Sequence, residues 1–297
     1  MNSTISGQAR LPIEFLREPD RNFEKGGRSF YFFDLDDNVV HLPTRIYSKC
    51  KITGLEMPHS TSDFAKHGHL IGQTDGGPLA THELNYDPQN GSFRRFRELP
   101  HLNLHEQPLI EDMKEALAHP FVEWRGPSWD FFVHAVNNNR PISVITARGH
   151  HPHTLRRAID MLVVSRELEA HPNYLSVYPV NHPDTRQRIL GDTEAKKSTA
   201  ELKKQAIFKA VQDAMECYGE NPFHRFGMSD DDPGNVKLIR EAMQELKCRY
   251  PQNAFFVIST FERRIYKEEI HINNDASELE KVQGENLAPS QVDLLMP

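Results

Sequence analysis

Three carboxylates follow a run of aromatic residues in the first part of the chain. Residues 30–33 (FYFF) lead directly into Asp34, and Asp36 and Asp37 follow after a single leucine. Aromatic residues that end in a polar cluster predict a buried strand that surfaces at its carboxyl end. Alternate residues of an extended chain share a face, so Asp34 and Asp36 can converge on one point while Asp37 turns away. Converging carboxylates repel each other and require a nearby cation or proton.

The order Asp34, Asp36, Asn38 also matches the start of a calcium-binding loop. Such a loop takes glycine and glutamate where this chain has Val39 and Arg45, so the pattern argues against calcium. A solvated strand end followed by a turn is the plain alternative. A catalytic interpretation requires partner residues elsewhere in the chain.

The second half of the chain alternates between strand patterns and helix patterns. Strands separated by helices of this length predict a parallel sheet with right-handed crossovers. We therefore expect an α/β fold, a Rossmann-like parallel sheet with helices on both faces. The predicted strands after the first are 141–149, 174–180, 223–232 and 253–260, and the predicted helices are 129–139, 152–168, 199–219 and 234–250.

Residues 48–125 interrupt this alternation and are rich in His, Gly, Pro and Asn. The sequence DPQNG between two extended segments predicts a hairpin, and a short helix is expected at about residues 108–118. We interpret 48–125 as an insertion into a core formed by residues 28–47 and 126–270. Residues 1–27 form an N-terminal extension, and the polar, aperiodic residues 271–297 predict a disordered tail.

Polar side chains cluster at the predicted carboxyl ends of three strands. The first strand delivers Asp34 and Asp36, a second delivers Thr146, and a later one delivers Asp230 and Asp231. Open parallel sheets bind ligands beyond the carboxyl ends of their strands, near the point where strand order reverses. Three strand ends that carry acid, hydroxyl and acid favour a functional site over a merely solvated strand end.

In this order the motifs resemble those of the haloacid-dehalogenase-like superfamily of Mg²⁺-dependent phosphatases and phosphotransferases. FYFFDLD resembles the first signature of the family, SVITARG the second and GMSDDD the fourth. Asn38 departs from the pattern, because the family usually has Thr or Val there. The resemblance implies a hydrolase with a Rossmann-like core and a cap-like insertion after the first strand.

The resemblance also implies roles for the acidic residues. Asp34 would be the nucleophile that forms an aspartyl-phosphate, and Asp36 would be the general acid and then the general base. Mg²⁺ would be held by the Asp34 carboxylate, the Asp36 main-chain carbonyl and Asp230. Asp231 would be either a direct ligand or a neighbour that contacts the direct ligands.

The residues after the second signature strand are expected to hold the phosphoryl group. Thr146 would donate its hydroxyl to a phosphoryl oxygen, aided by main-chain N–H groups of the turn that begins at Ala147. Arg148 is a candidate to bind substrate through its planar guanidinium, and a surface salt bridge is the alternative.

The third signature of the family is a lysine at the start of the helix before the acidic pair. Lys203 is preferred because Ile207, Val211 and Ala214 follow it at helical spacing on the buried side. Lys204 is the close alternative, and a solvated helix lysine is the plain interpretation of each candidate. The lysines that qualify by position are Lys196, Lys197, Lys203 and Lys204.

Composition limits the partners and the compartment. The formal net charge is −7, from 35 basic and 42 acidic residues, so no broad positive field attracts nucleic acid or anionic lipid. Residues 93–97 (FRRFR) could form a basic edge strand that contacts a polyanion, but one such segment does not by itself indicate that the partner is a nucleic acid. Three dispersed cysteines argue against a disulfide framework, and histidines 150, 151 and 153 match no zinc spacing.

Without a signal peptide or membrane span, we expect a cytoplasmic protein.

These residues leave the function open between related possibilities. The principal expectation is a phosphatase acting on a small-molecule or macromolecular phosphate ester. A phosphotransferase or phosphomutase would use the same residues with another acceptor. A binding module that keeps the fold with negligible turnover is the alternative from a different class.

Overall fold

The computed structural model describes residues 17–261 and 264–272, together with the backbone of residues 285–286. Strands and helices alternate over most of this range. The strands are β1 (Ser29–Phe33), β2 (Ile46–Cys50), β3 (Glu56–His59), β4 (His82–Glu83), β5 (Pro141–Thr146), β6 (Asn173–Pro179), β7 (Arg225–Asp230), β8 (Ala254–Ser259), β9 (Tyr266–Glu269) and β10 (Glu285–Asn286). The helices are α1 (Thr61–His67), α2 (Pro108–Leu117), α3 (Phe121–Trp124), α4 (Trp129–Asn137), α5 (Pro152–Val164), α6 (Thr199–Tyr218) and α7 (Pro233–Arg249).

A seven-stranded sheet in the order β10-β9-β8-β7-β1-β5-β6 forms the centre of the molecule. The five strands from β8 to β6 in this order are parallel, and β9 and β10 add antiparallel pairs at one edge. The chain passes from β1 to β5 and β6 on one side, then returns to β7 on the other. Strand order therefore reverses at β1, where an open parallel sheet forms its binding crevice. The predicted α/β fold, with a mostly parallel sheet flanked by helices, is confirmed.

Strand β1 lies in the middle of the sheet and is buried on both faces. Phe30 and Phe32 pack in the apolar cluster that includes α6 and α7, while Tyr31 and Phe33 pack in the cluster that includes α4 and α5. A central parallel strand needs apolar residues on both faces, which explains the unbroken aromatic run. This burial fixes the point at which the acidic residues leave the sheet.

The region 48–125 contains a small three-stranded antiparallel sheet in the order β3-β2-β4. Its first strand, β2, begins at Ile46, just before the predicted start of the insertion. Helix α2 confirms the expected short helix, and its buried residues pack in the same apolar cluster as α4 and α5. The C-terminal part of the predicted insertion therefore shares the main core.

The hairpin predicted around DPQNG is wrong. The Asp87 side chain accepts hydrogen bonds from the backbone of Gln89 and Asn90 and closes a local turn, and the chain continues into a short 3₁₀ helix, Arg94–Phe96. The basic edge strand considered for residues 93–97 is wrong for the same reason. Side-chain hydrogen bonds compete with strand pairing at such positions.

The two ends of the chain are only partly described. Residues 1–16 and most of the predicted tail 271–297 lie outside the described residues, although Glu285–Asn286 pairs with β9. Asp20, in the predicted extension, accepts hydrogen bonds from the backbone and hydroxyl of Ser29 at the amino end of β1. The three cysteines are unpaired. Among the described residues, none of the helices combines the length and apolar character required to cross a membrane.

Candidate active site

The acidic residues after β1 stand on a tight turn. The Asp34 N–H donates to the Ser229 carbonyl at 3.1 Å, which extends the β1–β7 pairing by one residue. Asp37 adopts a left-handed conformation (φ 59°), and its N–H donates to the Val40 carbonyl at 2.9 Å. Aspartate tolerates this conformation better than most residues. The turn leaves Asp34 and Asp36 at the carboxyl rim of the sheet.

Asn38 holds this turn against neighbouring elements. Its buried amide nitrogen donates to the carbonyls of Asp34 and Ser229 and to the Ser229 hydroxyl. Its amide oxygen accepts hydrogen bonds from the hydroxyls of Ser128 and Thr260 at 2.8 and 2.9 Å. A Thr or Val could not make this set of bonds, so the departure from the family pattern has a structural role.

Carboxylates from two strand ends converge at the rim, as the sequence predicts. Oxygens of Asp34, Asp230 and Asp231 all lie within 4.8 Å of one another. The Lys203 Nζ lies 3.1 Å from Asp34 Oδ1 and 3.0 Å from Asp230 Oδ2. One lysine therefore neutralises part of a three-carboxylate cluster.

Of the four candidate lysines, the structure places only Lys203 beside these carboxylates. A capping box of Ser198 and Glu201 begins α6, so the buried face of its first turns carries Lys203 to the rim. The side chains of the other three lysines bind Glu194 (Lys196), the Leu190 carbonyl (Lys197) and Glu245 (Lys204).

The crowding of these groups perturbs their protonation. Burial raises the pKa of Asp34 well above its ordinary value, and the carboxylates of Asp230 and Asp231 raise it further while Lys203 opposes the increase. Burial, and then Asp230 and Asp37, raises the pKa of Asp231 to about 7. The pKa of Lys203 is raised, because its two carboxylate partners outweigh the burial that lowers it. Lys203 therefore stays charged, and the raised pKa values of Asp34 and Asp231 indicate that one lysine does not offset three ionised carboxylates.

Asp230 is fixed more firmly than the other two carboxylates. It is fully buried, and its Oδ1 accepts hydrogen bonds from the Asp232 N–H and from the Asn235 side chain. Asp232 in turn is the N-cap of α7 and accepts from the backbone of Gly234 and Asn235. The start of α7 thus positions the acidic pair after β7.

The cluster fits a magnesium ion. Carboxylate oxygens are preferred ligands of Mg²⁺, and ligands on opposite sides of the ion lie about 4.2 Å apart, twice the bond length. The spread of 4.8 Å needs side-chain movements of about half an ångström to reach that value. Asp34 Oδ1 is buried and accepts no hydrogen bond from the described part of the chain, since its contact with Lys203 is an ion pair without hydrogen-bond alignment. An oxygen in this state is available to a cation.

Thr146 and Asp36 face each other at the next strand end. The Thr146 hydroxyl donates to Asp36 Oδ2 at 3.4 Å, and it also accepts from the Arg148 N–H. Ala147 is exposed at the rim, and its carbonyl accepts a hydrogen bond from Asn181. The sequence-predicted phosphoryl-binding residues therefore lie beside the acidic turn.

Arg148 takes a position that sequence reasoning missed. Its side chain is fully buried, and its Nε and Nη2 bind both oxygens of Asp36 at distances from 2.6 to 3.1 Å. The ion pair considered for Arg148 exists, but it is buried, so the surface location was wrong. An arginine two residues after a buried strand gave no signal for this partner, which lies 112 residues away.

His150 is buried beside these residues, and neither of its ring nitrogens has a hydrogen-bond partner among the residues that the structure describes. Burial, followed by the charges of Arg148, His182 and Arg95, lowers its pKa well below the ordinary value. His150 is therefore neutral, and no metal-ligand cluster of histidines is found among the described residues.

Comparisons with known proteins identify no relative of this chain. No family model, no curated protein and no solved structure matches the chain.

Proposed function

We propose that this chain is a Mg²⁺-dependent phosphatase that hydrolyses phosphate monoesters through an aspartyl-phosphate intermediate on Asp34. The observation that carries the proposal is the convergence of Asp34, Asp230 and Asp231 at the carboxyl rim of the sheet, with Lys203 bound to the first two. The resemblance of the motifs to the haloacid-dehalogenase-like superfamily supports the same conclusion, because the convergent residues are those of its first, third and fourth signatures.

The reaction proceeds in two displacements at phosphorus. An oxygen of the Asp34 carboxylate attacks the phosphorus atom, forming one P–O bond while the bond to the leaving oxygen breaks. Asp36 gives a proton to the leaving oxygen. Water then attacks the phosphorus of the aspartyl-phosphate, Asp36 takes the proton from that water, and Asp34 is regenerated with release of inorganic phosphate.

Charge neutralisation is the main requirement of this chemistry, since both the nucleophile and the ester are anionic. When bound, Mg²⁺ would supply positive charge to the carboxylates and the phosphoryl oxygens, held by Asp34, the Asp36 carbonyl and Asp230, with Asp231 beside them. Lys203 holds Asp34 and Asp230 in place and adds a second cation. It thereby favours the ionised, nucleophilic form of Asp34.

The phosphoryl oxygens would be bound by Thr146 and by the turn that begins at Ala147. The Thr146 hydroxyl exchanges its long, 3.4 Å hydrogen bond to Asp36 for one to the substrate. Such an exchange is inexpensive, because a hydrogen bond of this length is weak. Asp36, likewise, must exchange one of its bonds to Arg148 or Thr146 when it donates a proton.

We assign the region 48–125 the role of a cap over this site. Its residues 96–98 pair with the loop after Thr146: the Gly149 N–H donates to the Phe96 carbonyl at 2.7 Å, and the Glu98 N–H donates to the Gly149 carbonyl at 3.2 Å. A segment fixed beside the phosphoryl-binding turn would limit the size of the substrate and exclude water. The proposed partner is a phosphate ester substrate. The proposed compartment is the reducing cytoplasm, where cysteines remain unpaired, as the three cysteines of this chain are.

A second candidate, a phosphate-binding module with negligible turnover, is favoured by one observation. Both oxygens of Asp36 are occupied by Arg148, and Oδ2 also accepts from Thr146. If these bonds do not exchange during turnover, Asp36 neither gives nor takes the proton. The two candidates differ in whether bound phosphate ester is consumed.

The test is the release of phosphate from 4-nitrophenyl phosphate with Mg²⁺ and with EDTA. We expect activity only with Mg²⁺ and its loss in Asp34→Asn. Asp20→Asn is the matched control, because Asp20 is a buried carboxylate at the opposite end of β1. Equal turnover by the wild type and Asp34→Asn rejects the nucleophile, and binding of phosphate esters without turnover identifies the module.

A further inference from the structure

A chain of four buried or half-buried side chains connects the region 48–125 to Asp36. We infer that this chain, which we name the Arg148 relay (Arg148, Thr44, Asp112 and Arg95), positions the Asp36 carboxylate for proton transfer. The inference rests on the proposed function, because that function gives Asp36 its role. It gives Arg148 the role of positioning Asp36, whereas the sequence suggested that Arg148 contacts the substrate.

The relay begins with a guanidinium that fixes the plane of the Asp36 carboxylate. Arg148 Nε donates to Oδ1 and Oδ2 at 3.1 and 2.9 Å, and Nη2 donates to Oδ1 at 2.6 Å. The Phe96 ring lies 4.7 Å from the guanidinium carbon. A planar group that forms paired hydrogen bonds and packs against an aromatic ring has few orientations. The orientation of Arg148 therefore sets that of Asp36.

Thr44 connects this guanidinium to a second carboxylate. Arg148 Nη2 donates to the Thr44 hydroxyl at 2.7 Å, and the Thr44 hydroxyl donates to Asp112 Oδ2 at 2.6 Å. A hydroxyl has one proton, so its bond to Asp112 leaves it an acceptor towards Arg148. Thr44 and Asp112 are each 1% exposed, and water does not compete with these bonds.

Arg95 completes the relay from the short 3₁₀ helix of the region 48–125. It binds Asp112 Oδ1, so that Asp112 is held by a donor on each oxygen. Together with Asp36, the relay has two guanidiniums that alternate with two carboxylates, and these four charges balance. Removing one partner from such a buried set leaves an uncompensated charge, whereas removing the Thr44 hydroxyl breaks the connection and keeps every charge.

Thr44→Val is therefore the decisive variant. Its matched control is Thr154→Val, which removes another buried threonine hydroxyl that donates to a carboxylate, that of Glu98 at 2.9 Å. Asp112→Asn is the second test, with Glu56→Gln as its control, because Glu56 also binds an arginine of the same region, Arg94.

The kinetic readout compares phenyl phosphate with 4-nitrophenyl phosphate. Phenolate is the poorer leaving group and depends more on a proton from Asp36, whose contribution is of the order of 10²–10⁴-fold in rate. We expect Thr44→Val to lower kcat/KM for phenyl phosphate by about tenfold, a small part of that range, and kcat/KM for 4-nitrophenyl phosphate by less than about twofold. The ratio kcat/KM reports the step in which the leaving group departs and excludes the hydrolysis of the aspartyl-phosphate that both substrates share. A general structural defect would lower both equally.

The same variant is then made together with Asp36→Asn. If the relay acts through Asp36, Thr44→Val has no further effect on phenyl phosphate turnover once Asp36 is replaced. Equal effects in both backgrounds overturn the inference. An Asp36→Asn protein as active as the wild type on both substrates rejects the role of Asp36 in the proposed function.

A readout independent of turnover separates the two proposals. The Arg148 Nε–H resonance in a ¹H–¹⁵N spectrum reports its bond to Asp36, and we expect it to shift in Thr44→Val and Asp112→Asn and to stay unchanged in both controls. An unchanged resonance in Thr44→Val overturns the relay even if the enzyme is active. A shifted resonance with unchanged kinetics overturns its role in proton transfer, and a wild type without turnover rejects the proposed function.

Discussion

Replacement of Asp231 by asparagine should stabilise the metal-free protein at high pH. Asp231 lies in a cluster where burial, Asp230 and Asp37 raise its pKa from 3.8 to about 7. Between these two values the folded state binds more protons than the unfolded state, so stability falls as pH rises. The cost is fully present above pH 7 and absent below pH 4. Asparagine is uncharged, so the variant lacks this pH-dependent loss of stability.

The magnitude follows from the two pKa values. Their difference is 7 − 3.8, or about 3, and each pKa unit corresponds to about 1.4 kcal/mol, which gives about 4 kcal/mol at pH 8. The remaining exposure of the side chain to solvent reduces this figure, so about 4 kcal/mol is an upper value. Between pH 4 and pH 8, the free energy of unfolding of the wild type should therefore decrease relative to that of Asp231→Asn.

The assay is urea unfolding of both proteins in EDTA at pH 4 and pH 8. The stability difference between the two proteins at each pH cancels groups that titrate equally in both, including the buried histidines. Subtracting the difference at pH 4 from that at pH 8 then cancels any pH-independent effect of the amide. Saturating Mg²⁺ at pH 8 should raise the stability of the wild type more than that of the variant. A stability difference between the two proteins that is the same at both pH values would refute the reasoning.

Three other perturbations test the surroundings of the site by urea unfolding. Lys203→Met leaves buried carboxylates without their cation and should cost about 3–5 kcal/mol in EDTA at pH 8, with partial recovery in Mg²⁺; wild-type stability in EDTA would contradict this. Asn38→Ala removes five hydrogen bonds and should cost about 3 kcal/mol, whereas a loss below about 1 kcal/mol would show that the turn holds without them. His150, with its lowered pKa, must stay neutral in the folded state, so stability is lost as pH falls below 6.5. His150→Leu should lessen that loss between pH 7.5 and pH 5, and an unchanged pH dependence would contradict the assignment.

Much of the fold could be predicted because its signals are local. The aromatic run of β1 and the strand patterns of β5, β7 and β8 reflect burial on both faces. The spacing of Ile207, Val211 and Ala214 identified the buried face of α6 and with it Lys203. The antiparallel strand β9, between β8 and β10, was not predicted, because its four residues, YKEE, carry no apolar alternation.

The parts of the site that were missed depend on pairing between distant segments. The bonds within the Arg148 relay and from it to Asp36 join residues separated by 17 to 112 positions, and no periodicity connects them. The DPQNG segment forms a turn as predicted, but the chain then enters the 3₁₀ helix Arg94–Phe96 instead of a second strand, and Arg94 and Arg95 bind carboxylates from there. Local patterns predict elements well, whereas side-chain partners are set by the tertiary structure.

The proposed function depends most directly on one divalent ion, which carboxylates from two strand ends hold. Isothermal titration of the metal-free protein with Mg²⁺ at pH 8 measures this. We predict one site per chain in the wild type and in the control Asp20→Asn, and its loss in Asp230→Asn with the secondary structure unchanged by circular dichroism. Wild-type binding by a folded Asp230→Asn protein would contradict the account.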